Sequence, residues 1–272
     1  WRGISRSFLR IATSNGRMSR KVYRAGKAQA RSVPAALLQR ELRHFLSSPS
    51  YMLNCGMGVL FLPVCGVLLL VRGNEWLGTM NAFFGAKDGC TTVLLCTAIC
   101  LIATMNNMDT PSVSLEGKSY WIVRSMPVPT KKVLRAKLNL SNSLSAGPAL
   151  LMMLVCALVL GLPAVEVILL LACQLLFVLL SADIGLMEDL RHCNLDWINE
   201  TQAAKQGAGV VLTMLIVWGF VLAVGAVYFA LLAIVLTTPV FLALVLALLA
   251  ALYALTQRWL ATRGVRRFES IR

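Results

Sequence analysis

The sequence predicts an all-α, polytopic membrane protein with six transmembrane helices, an N-terminal interfacial amphipathic helix and both termini cytoplasmic. Three observations predict it. The chain is 58% hydrophobic and only 14% charged, whereas an average soluble domain is about 25% charged. Apolar stretches near the ~20 residues that a helix needs to cross a bilayer occur at 51–71, 89–105, 143–160, 164–186, 208–232 and 240–255. The polar segments between them alternate in charge: 24 of the 26 Lys and Arg fall on one side and two on the other. Cations concentrate in cytoplasmic loops, so this distribution orients the chain. Lipid leaves backbone groups no water to bond, which makes each span a helix.

Residues 1–36 are basic, with few apolar residues at any period, and read as a partly disordered cytoplasmic linker. From 35 to 46 the pattern changes. Leu37, Leu38, Leu42, Phe45 and Leu46 fall on one side of a helix, with Gln39, Arg40, Arg43 and His44 on the other. That pattern suits a helix lying along the headgroups, and Ser47-Ser48-Pro49 ends it. The first pair of spans is joined by an outer loop at 72–88, where Trp76 is an interface anchor. The second pair turns at Gly161-Leu162-Pro163 and the third near Thr237-Thr238-Pro239. Tyr228 and Phe229 read as an outer aromatic anchor. The six-span domain thus covers 37–260, and 261–272 is a basic cytoplasmic tail.

Several function classes lack their chemistry here. The net charge of +14 follows the topology and suits anionic headgroups, so nucleic acid is not an expected partner. Cys55, Cys65, Cys96, Cys100, Cys156 and Cys173 fall in predicted spans, where Cys behaves as a small hydrophobe. There is no C-x-x-C pair, so neither a metal nor a cofactor is expected. Glu116-Gly117-Lys118-Ser119 ends like a phosphate-binding loop, but position 112, where that loop needs its first glycine, is Ser112. His192 and Cys193 are adjacent without a third group to complete a catalytic or metal set. No catalytic residue is predicted, and the chain is not expected to be an enzyme. Glu166 sits at the outer end of the fourth span and Asp183 near its inner end. No acid falls at a predicted midplane, which disfavours an ion-coupled carrier.

The most informative stretch is the polar interruption at 106–137. Ser114-Leu-Glu-Gly-Lys-Ser-Tyr-Trp-Ile-Val-Arg-Ser-Met-Pro-Val-Pro129 interleaves apolar anchors with charge, and Lys131, Lys132, Arg135 and Lys137 follow. Leu115, Tyr120, Trp121, Val123 and Met126 form an anchor set for a partner groove, rimmed by Glu116, Lys118 and Arg124. Buried aromatics carry much of the energy at such contacts, which singles out Trp121. Pro127 and Pro129 stop this helix, and Thr130 is placed to cap the next. After the fourth span, Trp197 with Asn199 and Lys205 forms a second candidate contact, with stabilisation of the cytoplasmic helix ends as the equal alternative.

Three strings carry a family resemblance. These are the Ser114–Lys118 string with its Trp, Ser-x-Pro and Lys continuation to Lys137; Asn194-Leu-Asp-Trp-Ile-Asn-Glu-Thr-Gln-Ala-Ala-Lys-Gln206; and Leu38-Gln-Arg-Glu-Leu-Arg-His-Phe-Leu-Ser-Ser-Pro-Ser-Tyr-Met-Leu-Asn54. In order and spacing they resemble the integral-membrane permease of bacterial ABC exporters of the type-2 exporter class. The resemblance implies a multi-pass subunit of the bacterial cytoplasmic membrane whose transport is driven by a separate ABC-type ATPase. The loop around Trp121 would then be the coupling element. Permeases of that family look like two related halves, so the resemblance also implies that this chain, which starts at Trp1, is the C-terminal half beside a second permease half. Two other classes fit the same residues: a non-transporting membrane scaffold whose loop recruits a partner, and an ion-coupled secondary transporter. The cargo is not legible in the sequence.

Overall fold

The computed structural model describes residues 31–84, 89–232 and 237–271, and the basic segment 1–36 therefore lies outside the described residues as far as residue 30. Every regular element among the described residues is helical. Helix α1 (Val33–Ser47) leads to α2 (Pro49–Cys55) and α3 (Met57–Phe84). Ser48 separates the first two: its hydroxyl accepts from the Tyr51 N–H, and Pro49 takes the first-turn position where its missing N–H costs nothing. Gly56 marks a 43° bend between α2 and α3, with Phe45 packed so closely that a Cβ there would lie 2.9 Å from the ring.

Helix α4 (Cys90–Ala103) follows, then a 3-10 turn (Ser114–Ser119) continuing into the short α5 (Tyr120–Ser125). Helix α6 (Thr130–Val159) and α7 (Ala164–Arg191) are joined by a tight turn at Gly161. Helix α8 (Glu200–Gln206) precedes α9 (Ala208–Val227), which ends in a π-turn (Tyr228–Leu232). Helix α10 (Thr238–Trp259) runs through a second π-turn (Leu260–Gly264) into α11 (Val265–Ser270).

Four helical rods are long and apolar enough to cross a bilayer, and the bent pair α2–α3 makes a fifth. The chain is thus a helical protein built for multiple passes. The stretch expected as the second span forms only the 14 residues of α4, or about 21 Å at 1.5 Å per residue, short of the ~30 Å hydrocarbon core. Its C-terminal portion instead leaves the helix, and residues 104–113 fold inward. The expected outer loop at 72–88 is helical through Phe84, with Trp76 exposed.

Helix α7 is the central post. Helices α6, α9 and α10 all pack along it, and it presents glycine where others come closest. A Cβ on Gly185 would meet the Thr110 hydroxyl at 2.9 Å, so the inward segment needs that glycine to reach α7. Tyr228, expected as an exposed anchor, is instead buried with its ring 4.6 Å from Phe241. The residues read as a tail at 261–272 continue the helical rod of α10 and pack against α6 and α7, burying Phe268.

Candidate functional site: a polar platform at the cation-rich end

The three strings singled out in the sequence converge at one end of the bundle. Lys137 of α6 has a fully buried side chain, and desolvating an ammonium costs several kcal/mol unless partners compensate. It has three: Glu116 Oε1 at 2.7 Å, Glu41 Oε2 at 3.0 Å and the Ser112 carbonyl at 2.8 Å. Arg40 closes the network from the rim, reaching Glu116 Oε2 at 2.6 Å and Glu41 Oε1 at 2.6 Å. Two cations thus face two carboxylates across α1, the 3-10 turn and α6. Burial alone would push the Glu116 carboxyl up, but the Lys137 charge and the Arg40 bonds outweigh it and hold it at about 2.

Glu41 was missed in the helical pattern of α1. The buried face is Leu37, Glu41 and Phe45 at four-residue spacing, while Leu42 and Leu46 are exposed. A carboxylate on the apolar seam of an interfacial helix was the available signal, since it requires a buried cation opposite. Glu41, His44 and Glu116 also bring three possible metal ligands together. Both carboxylates are already neutralised by Lys137 and Arg40, so the cluster has no charge left to offer a cation.

Ser114 and Trp197 make the second half of the platform. Asp189 of α7 accepts from the Val113 N–H at 2.5 Å, the Ser114 N–H at 3.3 Å and the Ser114 hydroxyl at 2.5 Å. The Ser114 hydroxyl accepts from the Asn194 N–H at 3.2 Å, and the Ser114 carbonyl accepts from the Trp197 indole N–H at 2.7 Å. The indole lies over Gly117, whose backbone (φ 49°, ψ −132°) is one that residues with a Cβ rarely adopt. Trp197 is half-buried and ties the 3-10 turn to the segment after α7. Asn199 caps α8 by accepting from the Gln202 N–H at 2.8 Å, and the Lys205 side chain lies outside the described residues.

The predicted anchor set divides. Leu115, Tyr120 and Val123 turn inward. Tyr120 stacks edge-on against Phe268 of α11 with centroids 5.1 Å apart, and its hydroxyl donates to the Phe268 carbonyl; burial pushes its pKa up to about 12. Trp121 is 67% exposed, Ile122 43%, and Met126 is half-buried. Of the expected charged rim, Lys118 and Arg124 are at the surface, Arg124 donating to the Ile271 carbonyl at 3.2 Å, whereas Glu116 is inside the ion-pair network. Thr130, expected to cap α6, donates instead to Glu269 at 2.8 Å, so no side chain caps that helix.

Residues 106–113 open the polar interruption read in the sequence as a docking segment, yet most of them are buried. Asp109 is buried among α4, α6 and α7. Its Oδ1, both amide atoms of Asn106 and the Ser145 hydroxyl are buried without a partner. All three residues line one small polar cavity. The signal was faint, since a polar run between apolar stretches reads equally as loop.

Fold and platform together define a multi-pass helical membrane protein with a rigid, cation-rich polar end. Comparisons with protein-family models, with curated proteins and with solved structures find no match.

Proposed function

We propose that this chain is the membrane permease component of an ABC exporter, coupled to a separate ATPase through the surface around Trp121. The observation that carries the reading is the Trp121–Ile122 pair, exposed on a short helix whose inner face is locked by Tyr120 and Val123. Force on a flexible loop dissipates, but this loop is fixed to α6 through Lys137, to α7 through Asp189 and to the continuous α10–α11 rod through Phe268. A displacement of Trp121 would thus move three candidate spans together. Six spans, cytoplasmic termini and the bacterial cytoplasmic membrane belong to this reading, with α4 as the short second span completed by the inward segment. No catalytic group is required, because the work is conformational.

The test is purification of the protein from its native membrane with its partners identified by mass spectrometry. An ABC-type ATPase is expected to accompany it, and Trp121→Glu, at an exposed position, is expected to release that ATPase from a still-folded protein. A folded protein that never carries an ATPase overturns the proposal.

One observation favours a second reading, the ion-coupled carrier. Asp109 supplies a buried carboxyl beside unpartnered oxygens, the kind of group such carriers use. Export that collapses with an ion gradient and ignores ATP would select it.

A further inference from the structure

Helices α6 and α10 each pack along α7 and leave a cleft between them at the cation-rich end, about 220 Å³ in volume. One wall is a stripe on α6: Lys131, Arg135, Asn139 and Ser143, each exposed and spaced by four residues. At 1.5 Å rise per residue the stripe runs about 18 Å inward from Lys131. Tyr253 and Gln257 of α10 face it, and Leu138 and Leu179 lie at its base.

This stripe is unusual for an apolar span. Among the described residues neither Lys131 nor Arg135 makes an ion pair or hydrogen bond. The neighbouring acids are engaged elsewhere: Glu269 with Thr130, and Asp183 with Thr256 and Gln257. Asn142, which also lines the cleft, has a buried Oδ1 with no donor. Unmatched cations at the mouth require an anion. The apolar base requires hydrocarbon beside it.

The geometry points to a binding site for an anionic phospholipid. The phosphate sits between Lys131 and Arg135, and an acyl chain lies along Leu138 and Leu179. Basic pockets between helices at a membrane face are suited to such headgroups. A soluble phosphate would satisfy the cations but not the apolar base. The inference does not depend on what the protein transports, or on whether it does.

The test uses the whole chain purified in mild detergent, with retained lipid identified by native mass spectrometry. Retention is then titrated in nanodiscs of phosphatidylcholine carrying phosphatidylglycerol. One phosphatidylglycerol is expected to be retained, and Lys131→Gln/Arg135→Gln is expected to weaken retention about tenfold or more. Lys132→Gln, an exposed cation outside the cleft, should leave it unchanged. Equal retention by the double variant overturns the site. So does protection by inorganic phosphate alone, or a cleft that holds no lipid but pairs with a second copy, read by crosslinking at Ser143→Cys.

Discussion

Trp197 lies flat over Gly117, with its indole N–H donating to the Ser114 carbonyl at 2.7 Å and a would-be Cβ on residue 117 only 2.9 Å from its ring. The contact joins residues 80 positions apart, and it fixes the turn that carries the exposed Trp121. Gly117→Ala combines a backbone conformation hostile to a Cβ with a collision against a rigid ring. It is expected to lower stability by about 2–3 kcal/mol, measured by thermal or denaturant unfolding in detergent. Trp197→Phe keeps most of the packing and loses only the hydrogen bond, so a smaller cost of about 1 kcal/mol is expected.

Lys137 should be the least replaceable side chain at this end. Lys137→Met leaves two carboxylates buried with only Arg40 beside them, and removing one partner of a buried ion pair costs about 3–5 kcal/mol. Glu116→Gln in the same background relieves part of that charge. The double variant is expected to be more stable than the sum of the two single losses predicts, with a coupling of about 1–3 kcal/mol in a double-mutant cycle.

Acid should act through Glu116. Its carboxyl is held at about 2 against an ordinary 4.5. Its contribution to stability is therefore fully present above 4.5 and lost as pH falls from there towards 2. Glu116→Gln should be less stable than the parent at neutral pH, with the gap closing in acid. Melting temperatures of the parent and the variant from neutral pH down towards 2 check the sign.

The helical class and the positions of the long apolar rods were legible because hydropathy and helix period act locally, and 143–160, 164–186, 208–232 and 240–255 all fall within observed helical rods. The platform was only half legible. Trp121, Lys118 and Arg124 stand out as surface groups, but whether Tyr120 or Trp121 points inward is decided by Phe268, more than a hundred residues away. Glu116 reads as a solvated rim charge until Lys137 and Glu41 are brought beside it. The inward course of 104–113 was hidden for a similar reason: it depends on a glycine, Gly185, whose role appears only when two segments touch.

Phe268 decides whether the residues after Leu260 act as a tail or as structure. Its ring is 2% exposed and packs on Tyr120, while α11 is further tied by Arg267 to the Leu190 carbonyl and by Glu269 to Thr130. Replacing a fully buried Phe by Ala costs about 3–5 kcal/mol, and here the cavity opens directly beneath α5. Phe268→Ala should therefore destabilise the fold and also loosen the Tyr120–Ser125 helix, seen as faster amide exchange at Trp121 and Ile122. Tyr120→Phe removes only the bond to the Phe268 carbonyl, so it should cost about 1 kcal/mol and speed exchange less. If α11 were an independent tail, Phe268→Ala would leave exchange in α5 at the parental rate. Faster exchange confined to residues 265–270 would mean that the tail frays without carrying the Trp121 surface with it.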